Sequence, residues 1–226
     1  MIVTQTLQFF QDNSGLLIGH AASQLLLSLV SVAVAMAISL PVGLVTGHMR
    51  RWSFIAINGG NLFRALPTLA IIAIGIPLWG IGFLNIMIGL VVLAIPAILT
   101  NTYVAVSTTD ERTVEAARGM GMRPAQILAR VELPAALPLI VAGIRTSTVF
   151  VIATAYMASF AGTNSTLGII FNNNGHYGMA GVVAATVVVV VMAFAVEGLL
   201  LACQRMLTPR GIRMLRTAAL EPAGDE

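Results

Sequence analysis

The chain has 226 residues, 58% of them hydrophobic and 9% charged, with a mean hydropathy of +0.92. Soluble domains carry about 25% charged residues, so this composition excludes a soluble enzyme or binding module and predicts an all-α integral membrane protein built as one polytopic domain. The formal charge is +3 and every basic residue is an arginine; in so apolar a chain that excess bears on membrane orientation, not on nucleic acid. The single cysteine, Cys203, excludes an internal disulfide and reads as a helix-filling residue.

The first stretch lacks the basic start and small-residue cleavage site of a signal peptide. Residues 1–19 are expected to form a short extracytoplasmic segment, with Leu7, Phe9 and Phe10 in the interface and a turn at residues 12–14. About 20 apolar residues cross a hydrocarbon core of roughly 30 Å. By that measure about five transmembrane helices are expected, at residues 21–46, 57–79, 83–106, 136–160 and 179–203. His48, Arg50, Arg51 and Trp52 directly after the first span mark a cytoplasmic face. Asn61, Arg64, Pro67 and Pro77 fall in the second span, and Pro96, Asn101 and Tyr103 in the third. Residues 107–135 form a polar loop, 161–178 are polar but uncharged, and 205–226 form a tail. The domain plan is thus an outer segment (1–19), a membrane domain (20–204) containing the loop, and a cytoplasmic tail.

With the N-terminus outside and the C-terminus in the cytoplasm, Arg50, Arg51, Arg112, Arg118, Arg123, Arg130, Arg205, Arg210, Arg213 and Arg216 all fall on the cytoplasmic side. Arg64 and Arg145 fall near the cytoplasmic ends of their spans, and no arginine is left for the outer loops. That distribution follows the positive-inside rule.

The loop contains residues 115–134, EAARGMGMRPAQILARVELP. Helix is expected before Gly119 and Gly121, a tight turn at the glycines, and a second helix restarted by Pro124. Ile127, Leu128 and Val131 give that helix an apolar stripe, and Pro134 is expected to end it at Leu133. The product is a compact knob with one apolar face. An amphipathic loop lying on lipid headgroups is the plainer alternative.

Glu115-Ala116-Ala117, Gly121 separated by nine residues from Val131, then Leu133-Pro134 resembles the E-A-A-x3-G-x9-I-x-L-P signature of bacterial ABC-importer permeases, with valine for isoleucine at Val131. The resemblance implies a type I importer permease core. It also implies that Glu115, Ala116, Ala117, Gly121, Val131, Leu133 and Pro134 form the loop that docks on a cytoplasmic ATPase. Leu66-Pro67-Thr68, Asn101-Thr102-Tyr103 and Ala142-Gly143-Ile144-Arg145-Thr146 are similar to the osmoprotectant branch, the importers of glycine betaine, choline and carnitine. One stretch departs. Where the branch has a glycine-rich turn close to G-A-G-G-L-G, this chain reads Gly162-Thr163-Asn164-Ser165-Thr166-Leu167-Gly168. The departure bears on solute identity.

The resemblance implies as partners an ABC ATPase dimer, a second permease copy or paralogue, an extracytoplasmic binding protein, and the lipid of a bacterial cell membrane. It implies no cofactor in this chain, ATP and Mg being held by the ATPase; glycine-rich phosphate motifs are absent from the sequence. Candidate translocation-path residues are Arg64, Asn101, Tyr103, Arg145, Tyr156 and Glu197. A charge at a helix centre costs about 2.5–3.5 kcal/mol on insertion scales, so the arginines either snorkel or pair. Glu197, the only carboxylate deep in a span, is a candidate partner. Asn101 and Tyr103 would serve equally as helix-to-helix hydrogen-bonding groups. His20, His48 and His176 are too scattered for a metal site. The rival within transporters is a permease for methionine or polar amino acids. An intramembrane enzyme would need a nucleophile and base at depth, and no histidine is placed to supply one.

Overall fold

The computed structural model describes residues 2–50 and 67–207. Helix α1 (Ile2–Asp12) breaks at Asn13, where the polar turn was expected, and α2 (Ser14–Met49) follows. At 1.5 Å per residue the 36 residues of α2 run about 54 Å, well beyond the expected 21–46. Next come α3 (Thr68–Trp79) and α4 (Phe83–Ser107), separated by a turn through Gly80 and Gly82. Two short helices follow, α5 (Glu111–Gly119) and α6 (Pro124–Ile127). A π-helical turn (Leu128–Glu132) then joins α6 to α7 (Leu133–Met157). A 3₁₀ turn (Ala158–Ala161), α8 (Gly168–Asn172) and α9 (Asn174–Leu207), kinked at Gly178, complete the order.

Among the described residues four helical stretches are long and apolar enough to cross a membrane. Of the second expected span, 57–79, only Pro67 and α3 are described; the 12 residues of α3 reach about 18 Å. Asn61 and Arg64 lie outside the described residues.

The expectation that Pro134 ends the loop helix is corrected. Pro124 to Ala161 is one continuous helical rod of 38 residues. Proline in an α-helix removes a donor and crowds the carbonyl four residues back. Here the ladder opens by one residue just before it, the Leu133 amide donating to the Leu128 carbonyl. The π turn absorbs the proline, and the second arm of the knob is a direct extension of a membrane helix.

Helix α2 lies along α4, α4 against α7, and α7 against α9. Leu27, Ala35, Ile72, Ile86, Leu90, Ala94, Ile98, Val151 and Ala155 fill the main core. The α2–α4 crossing is set by Gly43 and Gly47. A β-carbon at Gly43 would stand 2.7 Å from Thr102 Cβ, and one at Gly47 2.8 Å from Val106 Cβ. Small residues four apart let helix backbones approach closely in a membrane, where apolar burial alone gives little association.

The end of the bundle far from α5 and α6 is closed by amides. Gln24, fully buried, donates from Nε2 to the Ile152 carbonyl (3.0 Å) and accepts from the Leu167 amide (3.1 Å). Asn85 donates to the Ile72 carbonyl (2.9 Å) and Asn172 to the Ser159 carbonyl (2.6 Å). Leu167 is fully buried, and a β-carbon on Gly168 would collide with the Tyr156 carbonyl. Those two residues are the part of the glycine-rich pattern this chain retains. The positions that have become polar include Asn164 and Ser165, which are exposed.

Candidate functional site

The α5–α6 knob is assembled by local signals. Asp110 caps α5: the Thr113 hydroxyl donates to its Oδ2 (3.0 Å) and the Arg112 amide to its Oδ1 (3.3 Å). These two bonds, the Thr113 one foremost, hold the Asp110 carboxyl below the usual aspartate range. At the other end Gly121 takes φ +80°. Its amide donates to the Arg118 carbonyl (2.9 Å) and the Met122 amide to the Ala117 carbonyl (3.2 Å). This is the paired closure of a Schellman motif, with Met122 packed back on the buried Ala117. The Gln126 side chain reaches back to the Arg123 amide (2.8 Å) and starts α6. Val114, Ala117 and Ile127 are buried between the two arms, with Met122 and Val131 against them.

The signature residues therefore divide by role. Glu115, Ala116 and Gly121 are exposed on the knob, Ala117 is in its core, and Val131, Leu133 and Pro134 are half-buried at its root. A small apolar core with exposed alanine and glycine beside a carboxylate makes a stiff, low-profile face.

The root is tied to the end of α2, which sequence reasoning missed. Glu132 is 1% exposed, and its Oε2 lies 2.6 Å from His48 Nδ1. Arg50 donates from Nη2 to the Thr109 carbonyl (2.9 Å) and from Nη1 to Glu111 Oε1 (3.2 Å). His48, Arg50, Glu111, Glu115, Arg118 and Glu132 line a charged cleft of about 190 Å³ there. The signal in the sequence was faint: a histidine at the end of one span and a carboxylate in an otherwise apolar part of the loop.

Within the bundle, Arg145 Nε lies 3.6 Å from Glu197 Oε1, and its Nη1 donates to Gln204 Oε1 (3.3 Å). Gln204 donates in turn to the Pro138 carbonyl (2.8 Å). The group bridges α7 and α9 and gives the arginine an ionic partner. The other candidates among the described residues do not join it. Asn101 bonds its own helix at the Ala97 carbonyl (2.7 Å) and packs on Gly143. Tyr103 is buried on α4, and the Tyr156 hydroxyl meets Thr186 at 3.5 Å. Among the described residues no cluster of three metal-ligating side chains occurs.

Membrane-length helices interrupted by one rigid polar knob that continues a spanning helix define a multi-pass transporter component. The chain belongs to the family of binding-protein-dependent transport system inner membrane components, whose pattern matches residues 39–210. It is 34% identical over 209 residues to the choline transport system permease protein OpuBB of Bacillus subtilis (strain 168), spanning 92% of this chain and 96% of that one. It is 31% identical over 214 residues to the glycine betaine/carnitine/choline transport system permease protein OpuCB of the same organism, spanning 95% and 99%. Among solved structures it resembles a chain of the inward-facing MetNI methionine ABC transporter, with TM-score 0.75 and 25% identity over 87% of this chain and 98% of that one. The fold is that of a type I ABC-importer permease.

Proposed function

We propose that this chain is the pore-forming subunit of an ATP-driven importer for osmoprotectant quaternary amines such as choline, glycine betaine and carnitine. The observation that carries the solute class is 31–34% identity, over nearly the whole length of both chains, to permeases named for those solutes. The knob supports the coupling role. Its exposed Glu115–Ala116 face is stiffened by its own core and continuous with α7, so a push on it is transmitted as movement of a rod. A cytoplasmic ATPase dimer holds ATP and Mg and grips this face, a second permease completes the pore, and a binding protein delivers solute from outside. The N-terminus then lies outside and the loop in the cytoplasm, a placement the arginine distribution supports.

A quaternary ammonium cannot donate a hydrogen bond and is recognised by aromatic faces. Tyr103 and Tyr156 are both buried against neighbouring helices, so the selectivity is assigned mainly to the binding protein. The likeness to a methionine transporter's permease favours a second reading, an amino-acid importer.

The test is ATP-driven uptake in proteoliposomes holding the permease, its co-encoded ATPase and its binding protein. Accumulation of labelled choline, glycine betaine or carnitine is expected. Uptake of methionine alone would transfer the chain to the second reading.

A further inference from the structure

The end of α2 holds the knob at two places. His48 grips Glu132 at the root of the second arm, and Arg50 grips Thr109 and Glu111 at the start of the first. We propose that this turn of α2 is a second lever of the transporter, with His48 and Glu132 as positioning residues that carry knob movement into α2. The inference rests on the reading of the knob as the ATPase-docking element.

Three observations support it. Glu132 lies within the π turn that joins the knob to α7, so it moves with the knob. Its partner is 84 residues away on a different membrane helix, which makes the contact a bridge between elements and not a local cap. Arg50 caps α2 with φ 50°, a left-handed conformation that costs a non-glycine residue about 1–2 kcal/mol and that persists where surrounding contacts over-determine it. The Arg50 guanidinium contacts are such contacts.

A polar pair is not required merely to fill this space. Exchanging a buried pair for apolar residues of similar volume is often neutral or stabilising. What the 2.6 Å contact adds is a fixed register, since a short directional bond resists sliding where packed methyl groups do not. The same α2 then meets α4 through Gly43 and Gly47, so displacement of its end is passed on along a close helix pair.

The experiment uses the full complex with its ATPase and binding protein, reconstituted in proteoliposomes. ATP hydrolysis without solute and labelled choline taken up per ATP are measured, with Tm and ATPase content as controls. His48→Leu combined with Glu132→Leu strands no charge. It is expected to keep Tm and ATPase content, to raise solute-free hydrolysis about 5-fold and to lower uptake per ATP by a similar factor. His48→Gln, which keeps a hydrogen-bonding partner for Glu132, is expected to retain wild-type values. Arg50→Leu, whose partner Glu111 is exposed and so is not stranded, should raise solute-free hydrolysis about 2-fold. Wild-type hydrolysis and coupling in the double-leucine variant, or loss of the ATPase from it, overturns the relay. If that variant does not fold, an unchanged rate in Arg50→Leu overturns it instead. Solute-free hydrolysis needs no substrate, so a wild-type complex that imports no quaternary amine defeats the solute reading alone.

Discussion

The two ends of the bundle are polar in different ways. At the knob end, side chains join separate helices: His48 meets Glu132 at hydrogen-bond distance, Arg50 pairs with Glu111 and, deeper in, Arg145 with Glu197. At the opposite end no ion pair occurs among the described residues, and neutral amides bond to backbone: Gln24 to Ile152 and Leu167, Asn85 to Ile72, Asn172 to Ser159. The buried amides of Gln24 and Asn85 fix one arrangement, because each group left unpaired in a dry site costs about 1–3 kcal/mol. The more exposed pairs, Arg50–Glu111 foremost, are individually weak and can be remade, while the buried Glu132 keeps its short contact to His48. The amide end is built as a fixed closure and the charged end as a surface that other parts can push.

The largest effect should come from Gly168→Ala at the amide end. Its β-carbon would meet the Tyr156 carbonyl and the Ser159 side chain, and the backbone carbonyl cannot swing aside. A loss of about 3 kcal/mol or more is expected, seen as a fall in Tm and in monodisperse protein on size exclusion. Gln24→Leu should follow, stranding the Leu167 amide at a cost of about 2 kcal/mol in unfolding measurements. A silent Gln24→Leu would break the contrast between the ends.

Effects at the knob should be smaller in stability and larger in transport. Gly121→Val meets no neighbouring atom but forces a β-branched residue to φ +80°, a penalty of about 1–2 kcal/mol. The protein is expected to fold while ATP-driven uptake falls about tenfold, since the turn aims both arms of the proposed docking face. Gly119→Ala, helical and equally open, should gain about 0.5–1 kcal/mol and keep its activity. Smallest is the pH response of Asp110. Its folded-state pKa is depressed below the ordinary 3.8, so the cap is intact above that value and is lost as pH falls through the depressed one. Because Asp110 is fully exposed, the change should be local: faster hydrogen exchange at the start of α5 in acid, abolished in Asp110→Asn.

The sequence made the knob legible because its determinants are local: a glycine turn, a proline restart and an apolar stripe within about two dozen residues, though the Asp110 cap was not read there. Residues 83–106 were readable as a span for the same reason, α4 ending one residue later. Pro134 misled because a proline stop presumes an α-helical ladder, and one π turn removes the conflict. The His48–Glu132 contact was hidden by separation, since nothing local to either residue names the other. Arg145 and Glu197 were easier to connect, a deep carboxylate having few cations within reach. Retention of Leu167 and Gly168 amid a changed turn was visible as a pattern. Its reason, a buried amide bond and a backbone contact, needed the fold.

The most direct test of the account is whether the exposed knob face holds the ATPase. Ala116 is exposed beside Glu115 and contributes nothing to the knob's buried core, so Ala116→Arg should leave Tm unchanged. The measurement is the amount of ATPase that co-purifies with the permease. The account predicts loss of most of the ATPase, with uptake lost alongside. Full ATPase content with normal uptake in a correctly folded Ala116→Arg protein would contradict it.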